Sequence, residues 1–210
     1  MVKIKVCGLR DRENVKAVIA LKPDYMGFIF YNGTPRFVGD LAVETVKSVP
    51  STIIKTAVFV NENVEHINAI IDKYKFDAIQ LHGNEGPEIC AAFKGRVKVI
   101  KAFGISEGFD FEDLYAYVDH VDYFLFDTKT KIHGGSGETY DWGLLNNYKF
   151  DVPFFLSGGL SPENLESVKN IDHPQFYGVD LNSKFEISPA LKNIEKLDIA
   201  FEMLKQNDNQ

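Results

Sequence analysis

The sequence predicts an α/β fold, namely a single-domain (β/α)8 barrel, also called a TIM barrel. Eight apolar, strand-like runs alternate with segments of helical periodicity along the whole chain. Such alternation indicates βαβ units around a parallel sheet. Eight runs favour a closed barrel over an open sheet of roughly five or six strands. The chain has 210 residues, 45% of them hydrophobic, which is enough for one large core.

The strand-like runs can be read directly along the chain. In order they are VKIKVC, YMGFIF, IIKTAVFV, FDAIQL, VKVIKAF, DYFLF, PFFL and FYGVD. The helix-like segments between them include DRENVKAVIAL, NVEHINAIIDKY, GPEICAAF and SPENLESVKNI, which open with cap-type residues or early prolines. We expect one barrel domain over residues 1–206 and a frayed polar tail over 207–210.

Composition and charge exclude several classes of function. The formal net charge is -7, and no basic cluster with interleaved aromatic residues occurs, so we expect no nucleic-acid or membrane partner. Since no apolar run has the length of a signal peptide or a membrane span, the sequence predicts a cytoplasmic protein. Cys7 and Cys90 lack paired spacing, which argues against a disulfide framework and a zinc site. No exposed apolar stripe is evident, and a monomer is therefore expected more than a homodimer.

Barrel enzymes carry their chemistry on the loops that follow the carboxyl ends of the strands. The residues that follow the eight runs are therefore the candidates for a site. They include Cys7 and Gly8, residues 31–36, Asn61, His82 and Gly83, Asp127, residues 157–159 and residues 180–183.

The stretch SGGLSPEN, residues 157–164, predicts a phosphate site. Gly158 and Gly159 allow the backbone to approach a ligand closely, while Ser161 and Pro162 fit the start of a helix whose free amides bind anions. Barrels commonly form such a site from the loops after strands seven and eight, so GVDLNS, residues 178–183, would supply its second half. The alternative is an ordinary glycine turn before a capped helix.

Cys7 and Asp127 are candidates for proton transfer. A thiol with an ordinary pKa of about 8.5 acts as a base only where cations or aimed amides stabilise the thiolate. Cys7 could equally be a small buried hydrophobic residue. A carboxyl group acts as a general acid only where its surroundings keep its proton on, and Asp127 could instead cap a solvated loop. The glycine-rich loop GGSG, residues 134–137, could cover a ligand bound next to Asp127.

Arg36 and His82 are candidates for ligand binding. Arg36 follows Pro35 in NGTPRFV, and its guanidinium can hold a carboxylate through two parallel hydrogen bonds, although it could also be a surface arginine. His82 has no partner at metal-ligand spacing, which makes zinc improbable and leaves a hydrogen-bonding role open.

Taken together, these motifs resemble the phosphoribosylanthranilate isomerases of tryptophan biosynthesis. The resemblance runs over nearly the whole chain and is carried by KVCGLR, GFIFYNGTPRFV, AVFVN, IQLHGNE, FLFDTK, GGSGETYDW, LSGGLSPENL and GVDLNSKFE. It implies an Amadori rearrangement of the phosphosugar N-(5-phosphoribosyl)anthranilate to 1-(2-carboxyphenylamino)-1-deoxyribulose 5-phosphate, with no metal and no organic cofactor.

The resemblance also implies a role for each candidate. Asp127 would be the general acid and Cys7 the general base. Arg36 would bind the anthranilate carboxylate. The remaining substrate-binding residues would be His82, Gly158, Gly159, Asp180, Asn182 and Ser183.

The chain departs from the family pattern at several positions near the phosphate site. SGGL stands where AGGL is common, Lys184 replaces a frequent glycine, and Asn193 replaces a usual acid. Other phosphosugar barrels fit less well. An indole-glycerol-phosphate synthase would need a catalytic lysine and glutamate, and a ribulose-phosphate epimerase would need histidine and aspartate metal ligands. A binding protein without activity would need neither Cys7 nor Asp127.

Overall fold

The structure, a computed structural model, describes residues 2–128 and 142–205. The predicted flap at 134–137 and the predicted tail at 207–210 lie outside these residues. Eight parallel strands pair in sequence order and close into a barrel, with β1 hydrogen-bonded to β8, which confirms the predicted (β/α)8 fold. The strands are β1 Lys3–Val6, β2 Tyr25–Ile29, β3 Ile54–Phe59, β4 Ala78–Leu81, β5 Lys98–Ile105, β6 Tyr123–Thr128, β7 Phe154–Ser157 and β8 Phe176–Leu181.

Five α-helices accompany the barrel in the described part of the chain. They are α1 Arg12–Ala20, α2 Val43–Lys47, α3 Val64–Tyr74, α4 Pro87–Ala91 and α5 Ile194–Lys205. Asp11 and Asn63 cap α1 and α3 by accepting from the amides of Asn14 and His66. None of the described helices is long and apolar enough to cross a membrane.

The helical segments after β5, β6 and β7 are short 3-10 helices, at Phe111–Tyr117, Trp142–Asn147 and Leu165–Asn170. The sequence places a helix start at Ser161 and Pro162, and the structure instead has a turn before Leu165. The reason is local. Asn164 accepts a hydrogen bond from the Ser161 amide and donates one to the Gly159 carbonyl, which offers the backbone an alternative to a regular helix.

A small antiparallel pair follows β8. After a 3-10 turn at Ser183–Phe185, β9 Glu186–Ser188 pairs with β10 Leu191–Lys192, and the chain then enters α5. The Asn193 side chain accepts from the Lys196 amide, so Asn193 caps the start of this last helix.

The interior of the barrel holds an apolar cluster and several buried polar side chains. Tyr25, Ile100, Ala102, Leu125 and Phe155 form a buried cluster inside the barrel. Buried polar side chains on the inner face of the strands include Lys5, Thr56, Gln80 and Asp180. This polar interior is the floor of the candidate site.

Candidate active site

Cys7 directly follows β1 and is almost fully buried, with 2% of its surface exposed. It packs against Ile29 of β2 and Val58 of β3. Gly27 provides the space for its side chain, because a Cβ atom at Gly27 would lie 2.6 Å from Cys7 Sγ. The thiol therefore occupies a closely fitted pocket at the carboxyl end of the strands.

Charged groups around Cys7 have opposite effects on the pKa of its thiol. Burial raises the pKa of the Cys7 thiol, Lys5 and Lys192 lower it, and Asp180 raises it, with a net increase above the ordinary value. A thiol whose pKa lies above its ordinary value of about 8.5 holds its proton at neutral pH. A base role requires that this proton leave before Cys7 accepts another.

Lys5 and Asp180 form an ion pair beneath Cys7. The distance from Lys5 Nζ to Asp180 Oδ2 is 2.9 Å, and the two side chains are 0% and 4% exposed. Lys5 and Asp180 are direct partners in the β1–β8 register. Burial lowers the pKa of Lys5, but Asp180 and Cys7 raise it further, so the ammonium keeps its proton.

The structure pairs Arg36 with Glu186. The Arg36 Nε atom lies 3.0 Å from both carboxylate oxygens, and Nη2 lies 2.6 Å from Oε2. Glu186 also accepts from Lys192 Nζ at 2.7 Å. These contacts fix the guanidinium plane and use Nε and Nη2.

Gly8, Arg36, Asn182 and Lys192 converge next to Cys7. Gly8 has φ +80°, and a Cβ atom there would lie 2.8 Å from Asn182 Oδ1 and 3.1 Å from Arg36 Cδ. Lys192 Nζ holds the Asn182 carboxamide through Oδ1 at 2.8 Å. The loops after β1, β2 and β8 therefore meet at one point of the barrel mouth.

Asp127 lies near the end of β6 with its side chain 37% exposed. Its Oδ2 atom is 3.2 Å from His82 Nε2, and Gln80 Nε2 is 2.7 Å from His82 Nδ1. With the Gln80 amide donating to Nδ1, His82 carries its proton on Nε2 and donates to Asp127. His82 and Asp127 line a cavity of about 480 Å³ that opens beside them.

The glycines after β7 adopt the backbone conformation that their residue type favours. Gly158 and Gly159 have φ +89° and +64°, in the left-handed region. They follow Ser157, which pairs in register with Asp127. The amide of Ser161 donates to the Asn164 side chain. Ser183 is exposed in the neighbouring loop.

The structure brings the predicted residues together at the carboxyl ends of the strands and adds others that the sequence analysis missed. Lys5 could have been identified from the sequence, since it precedes Cys7 by two positions and therefore shares its face of β1. No sequence pattern pointed to Glu186 and Lys192, because a hairpin far along the chain brings them to the site. In the described part of the chain no three His, Cys, Asp or Glu side chains are grouped as a metal site.

Comparison with known proteins gives a consistent result. A family model described as N-(5'phosphoribosyl)anthranilate (PRA) isomerase matches residues 4–203. The N-(5'-phosphoribosyl)anthranilate isomerase of Parabacteroides distasonis is 47% identical over 197 residues, covering 92% of this chain and 89% of the relative. The chain belongs to the PRA isomerase family. It is accordingly an isomerase of tryptophan biosynthesis.

Solved PRA isomerases have the same fold. A crystal structure of the enzyme from Thermotoga maritima superimposes with a TM-score of 0.82 at 32% identity, covering 98% of this chain and 100% of that chain. A phosphoribosyl anthranilate isomerase in complex with reduced 1-(o-carboxyphenylamino)-1-deoxyribulose 5-phosphate superimposes with a TM-score of 0.83 at 29% identity, with the same coverage.

Proposed function

We propose that this PRA isomerase converts N-(5'-phosphoribosyl)anthranilate to the aminoketose product with Asp127 as general acid and Cys7 as general base. Asp127 gives its proton to the ribose ring oxygen, and the ring opens to a protonated Schiff base. Cys7, as the thiolate, then removes the proton from ribose carbon 2, which the adjacent iminium group has made acidic. The resulting enolamine relaxes to the ketone.

The observation that carries this proposal is the arrangement of the two groups at the barrel mouth. Cys7 and Asp127 both stand at the carboxyl ends of their strands, where barrel enzymes place catalytic groups. The hydrogen bond from His82 holds the Asp127 side chain and stabilises the carboxylate that remains after the proton has left. His82 stays a predicted substrate contact in addition.

Arg36 is proposed to bind the anthranilate carboxylate. Glu186 holds the guanidinium through Nε and Nη2, so the group is oriented before the substrate arrives. Such pre-orientation reduces the entropy lost on binding. The N–H groups of the Arg36 guanidinium that Glu186 does not use can bind a carboxylate in a planar geometry, which a lysine ammonium cannot provide.

The phosphate is proposed to lie between the loops after β7 and β8. The left-handed backbone at Gly158 and Gly159 supports this, as do the polar side chains of Asn182 and Ser183 in the next loop. Asp180, near the end of β8, stays a predicted substrate contact, and its carboxylate accepts a hydrogen bond from Lys5 Nζ. Lys184 is exposed nearby and adds a cation that the family pattern lacks.

A cytoplasmic, monomeric enzyme remains our prediction. The T. maritima relative is described as dimeric, so the family includes dimers. In the described part of this chain the large exposed hydrophobic residues are Tyr31, Tyr115, Ile187 and Ile199. Light scattering during size exclusion would decide between one copy and two.

The roles of acid and base can be tested with Cys7→Ser and Asp127→Asn. We expect both variants to lose turnover of N-(5'-phosphoribosyl)anthranilate by at least about 100-fold, the usual contribution of a positioned acid or base. Affinity for the reduced product analogue should stay within about threefold, because neither change removes a predicted contact to carboxylate or phosphate. Full turnover by either variant would contradict its assigned role.

A further inference from the structure

We propose that the buried Lys5–Asp180 pair takes up the proton that Cys7 must lose to become a base. The S–H bond of Cys7 breaks as its proton moves to Lys5 Nζ, while Lys5 passes one of its own protons to Asp180 Oδ2. The products are a thiolate, an unchanged ammonium and a neutral carboxyl group. This inference rests on the proposed role of Cys7 as general base.

The geometry places Lys5 next to both groups. Lys5 and Cys7 lie two residues apart on the inner face of the barrel wall, and the Lys5 ammonium lowers the pKa of the Cys7 thiol. On its other side Lys5 Nζ is 2.9 Å from Asp180 Oδ2. Lys5 therefore lies between the proton donor and the proton acceptor.

The charge balance favours transfer inside the protein. Before transfer, the three groups contain one buried ion pair, Lys5 with Asp180. After transfer they again contain one ion pair, Lys5 with the Cys7 thiolate, and the net charge is zero in both states. An unpaired buried charge is strongly disfavoured. This proton relay, from Cys7 through Lys5 to Asp180, forms the thiolate without creating an unpaired buried charge.

Asp180 is well suited to accept a proton. Its Oδ1 atom is buried and has no hydrogen-bond partner among the described residues, so the carboxylate is incompletely stabilised. Burial raises the pKa of Asp180, and although Lys5, His82 and Lys192 lower it, the net change is upward. Burial therefore favours the neutral form of the Asp180 carboxyl group.

Other groups around the relay modulate it without replacing it. Lys192 reaches Cys7 from β10 and favours the thiolate, and its own charge is balanced by Glu186 and opposed by Arg36. The contacts from β2 and β3, Ile29 and Val58, are uncharged.

The test uses Lys5→Met and Asp180→Asn in the full chain. The Cys7 pKa is measured from the pH dependence of iodoacetamide alkylation, with mass spectrometry of the Cys7 peptide to exclude Cys90. Lys5→Met should raise the Cys7 pKa, and Asp180→Asn should lower it, each by about one pH unit or more, because one removes the cation and the other the carboxylate. Both should lower kcat by at least about tenfold, with unchanged affinity for the reduced product analogue.

Lys5→Arg separates proton transfer from simple charge. Arginine keeps the cation and does not release a proton in proteins. We expect a Cys7 pKa that stays below that of Lys5→Met, together with a kcat that remains low. Asp180→Glu keeps a carboxylate and should recover part of the activity, which also covers the case in which Asp180→Asn does not fold.

Several outcomes would overturn the relay. They are wild-type kcat in Lys5→Arg or Asp180→Asn, or Cys7 pKa values that do not move in opposite directions. These outcomes differ from a failure of the proposed function, in which Cys7→Ser would itself retain turnover.

Discussion

Gly27 and Cys7 fit together so closely that a single added methyl group would displace the thiol. A Cβ atom at position 27 would lie 2.6 Å from Sγ and 3.2 Å from the Cys7 Cα atom. Real carbon–sulfur contacts do not approach this distance, so either the side chain or the strand must move. The placement of the proposed base thus depends on a glycine in the neighbouring strand.

Gly27→Ala should therefore lower activity more than substrate affinity. A misplacement of about 1 Å can reduce a catalytic rate by roughly 100-fold. We expect kcat to fall by about that factor, while KM stays within about threefold because Arg36 and the phosphate loops are not touched. Steady-state kinetics gives both values. An unchanged kcat would show that the thiol tolerates displacement.

Asn14 connects the first helix to the hairpin that carries Lys192. Its carboxamide donates to the Lys192 carbonyl at 2.9 Å and accepts from the Lys192 amide at 2.8 Å. Asn14→Ala leaves both backbone groups buried without a partner, and the free energy of unfolding should fall by about 2–4 kcal/mol. Urea denaturation measures this loss. Asn147→Ala, at an exposed position, should change it by less than about 0.5 kcal/mol. Equal losses would contradict this account.

Glu186 gives stability a dependence on acid pH. Burial raises the pKa of its carboxyl group, but hydrogen bonds from Arg36 and Lys192 lower it further, so the folded value lies below the ordinary one. The stabilisation is complete above the unfolded pKa of about 4.3 and is lost as the pH falls through the folded value. We expect the stability difference between the intact protein and Glu186→Gln to shrink as the pH is lowered from 6 to about 3. Denaturation across this range would show a constant difference if Glu186 were unpaired.

The same substitution should weaken substrate binding. Without the second carboxylate oxygen the Arg36 guanidinium loses its fixed plane, and KM should rise by about tenfold with kcat within about threefold. Initial rates at several substrate concentrations separate the two effects. A fall in kcat with an unchanged KM would instead place Glu186 in the chemical step.

Lys101 and Glu85 form a second buried pair, which shapes the loop that carries His82. Lys101 Nζ donates to Glu85 and to three carbonyl oxygens, those of Leu81, Gly83 and Ala102. Lys101→Met leaves the Glu85 carboxylate buried without its cation and should cost about 3–5 kcal/mol. Lys16 pairs with Glu13 at the surface, where both side chains are at least half exposed. Lys16→Met should therefore lower the free energy of unfolding by no more than about 1 kcal/mol. Thermal unfolding of the two variants compares these losses directly.

Much of the fold could be predicted because each strand and its helix are local patterns. Alternating apolar runs and capping residues such as Asp11 and Asn63 specify units that contact their sequence neighbours. The segment from Ser161 to Asn170 was harder, since side-chain hydrogen bonds from Asn164 compete with a regular helix there. Periodicity alone cannot show that competition.

The candidate site divides in the same way. Cys7, Asp127 and Arg36 could be predicted because they directly follow strands, and barrel topology brings strand ends together. The partners that determine their chemistry could not. Glu186 reaches Arg36 across 150 residues, and Asp180 reaches Lys5 across 175, through pairings that only the closed barrel creates.

The central claim is tested most directly by the intact protein with freshly prepared N-(5'-phosphoribosyl)anthranilate, followed through the decay of substrate fluorescence in a buffer that contains a chelator. We predict conversion far faster than the spontaneous breakdown of the substrate, with 1-(2-carboxyphenylamino)-1-deoxyribulose 5-phosphate as the product. Decay no faster than without protein, from folded chain that still binds the reduced product analogue, would contradict the proposed acid–base catalysis and indicate a binding protein.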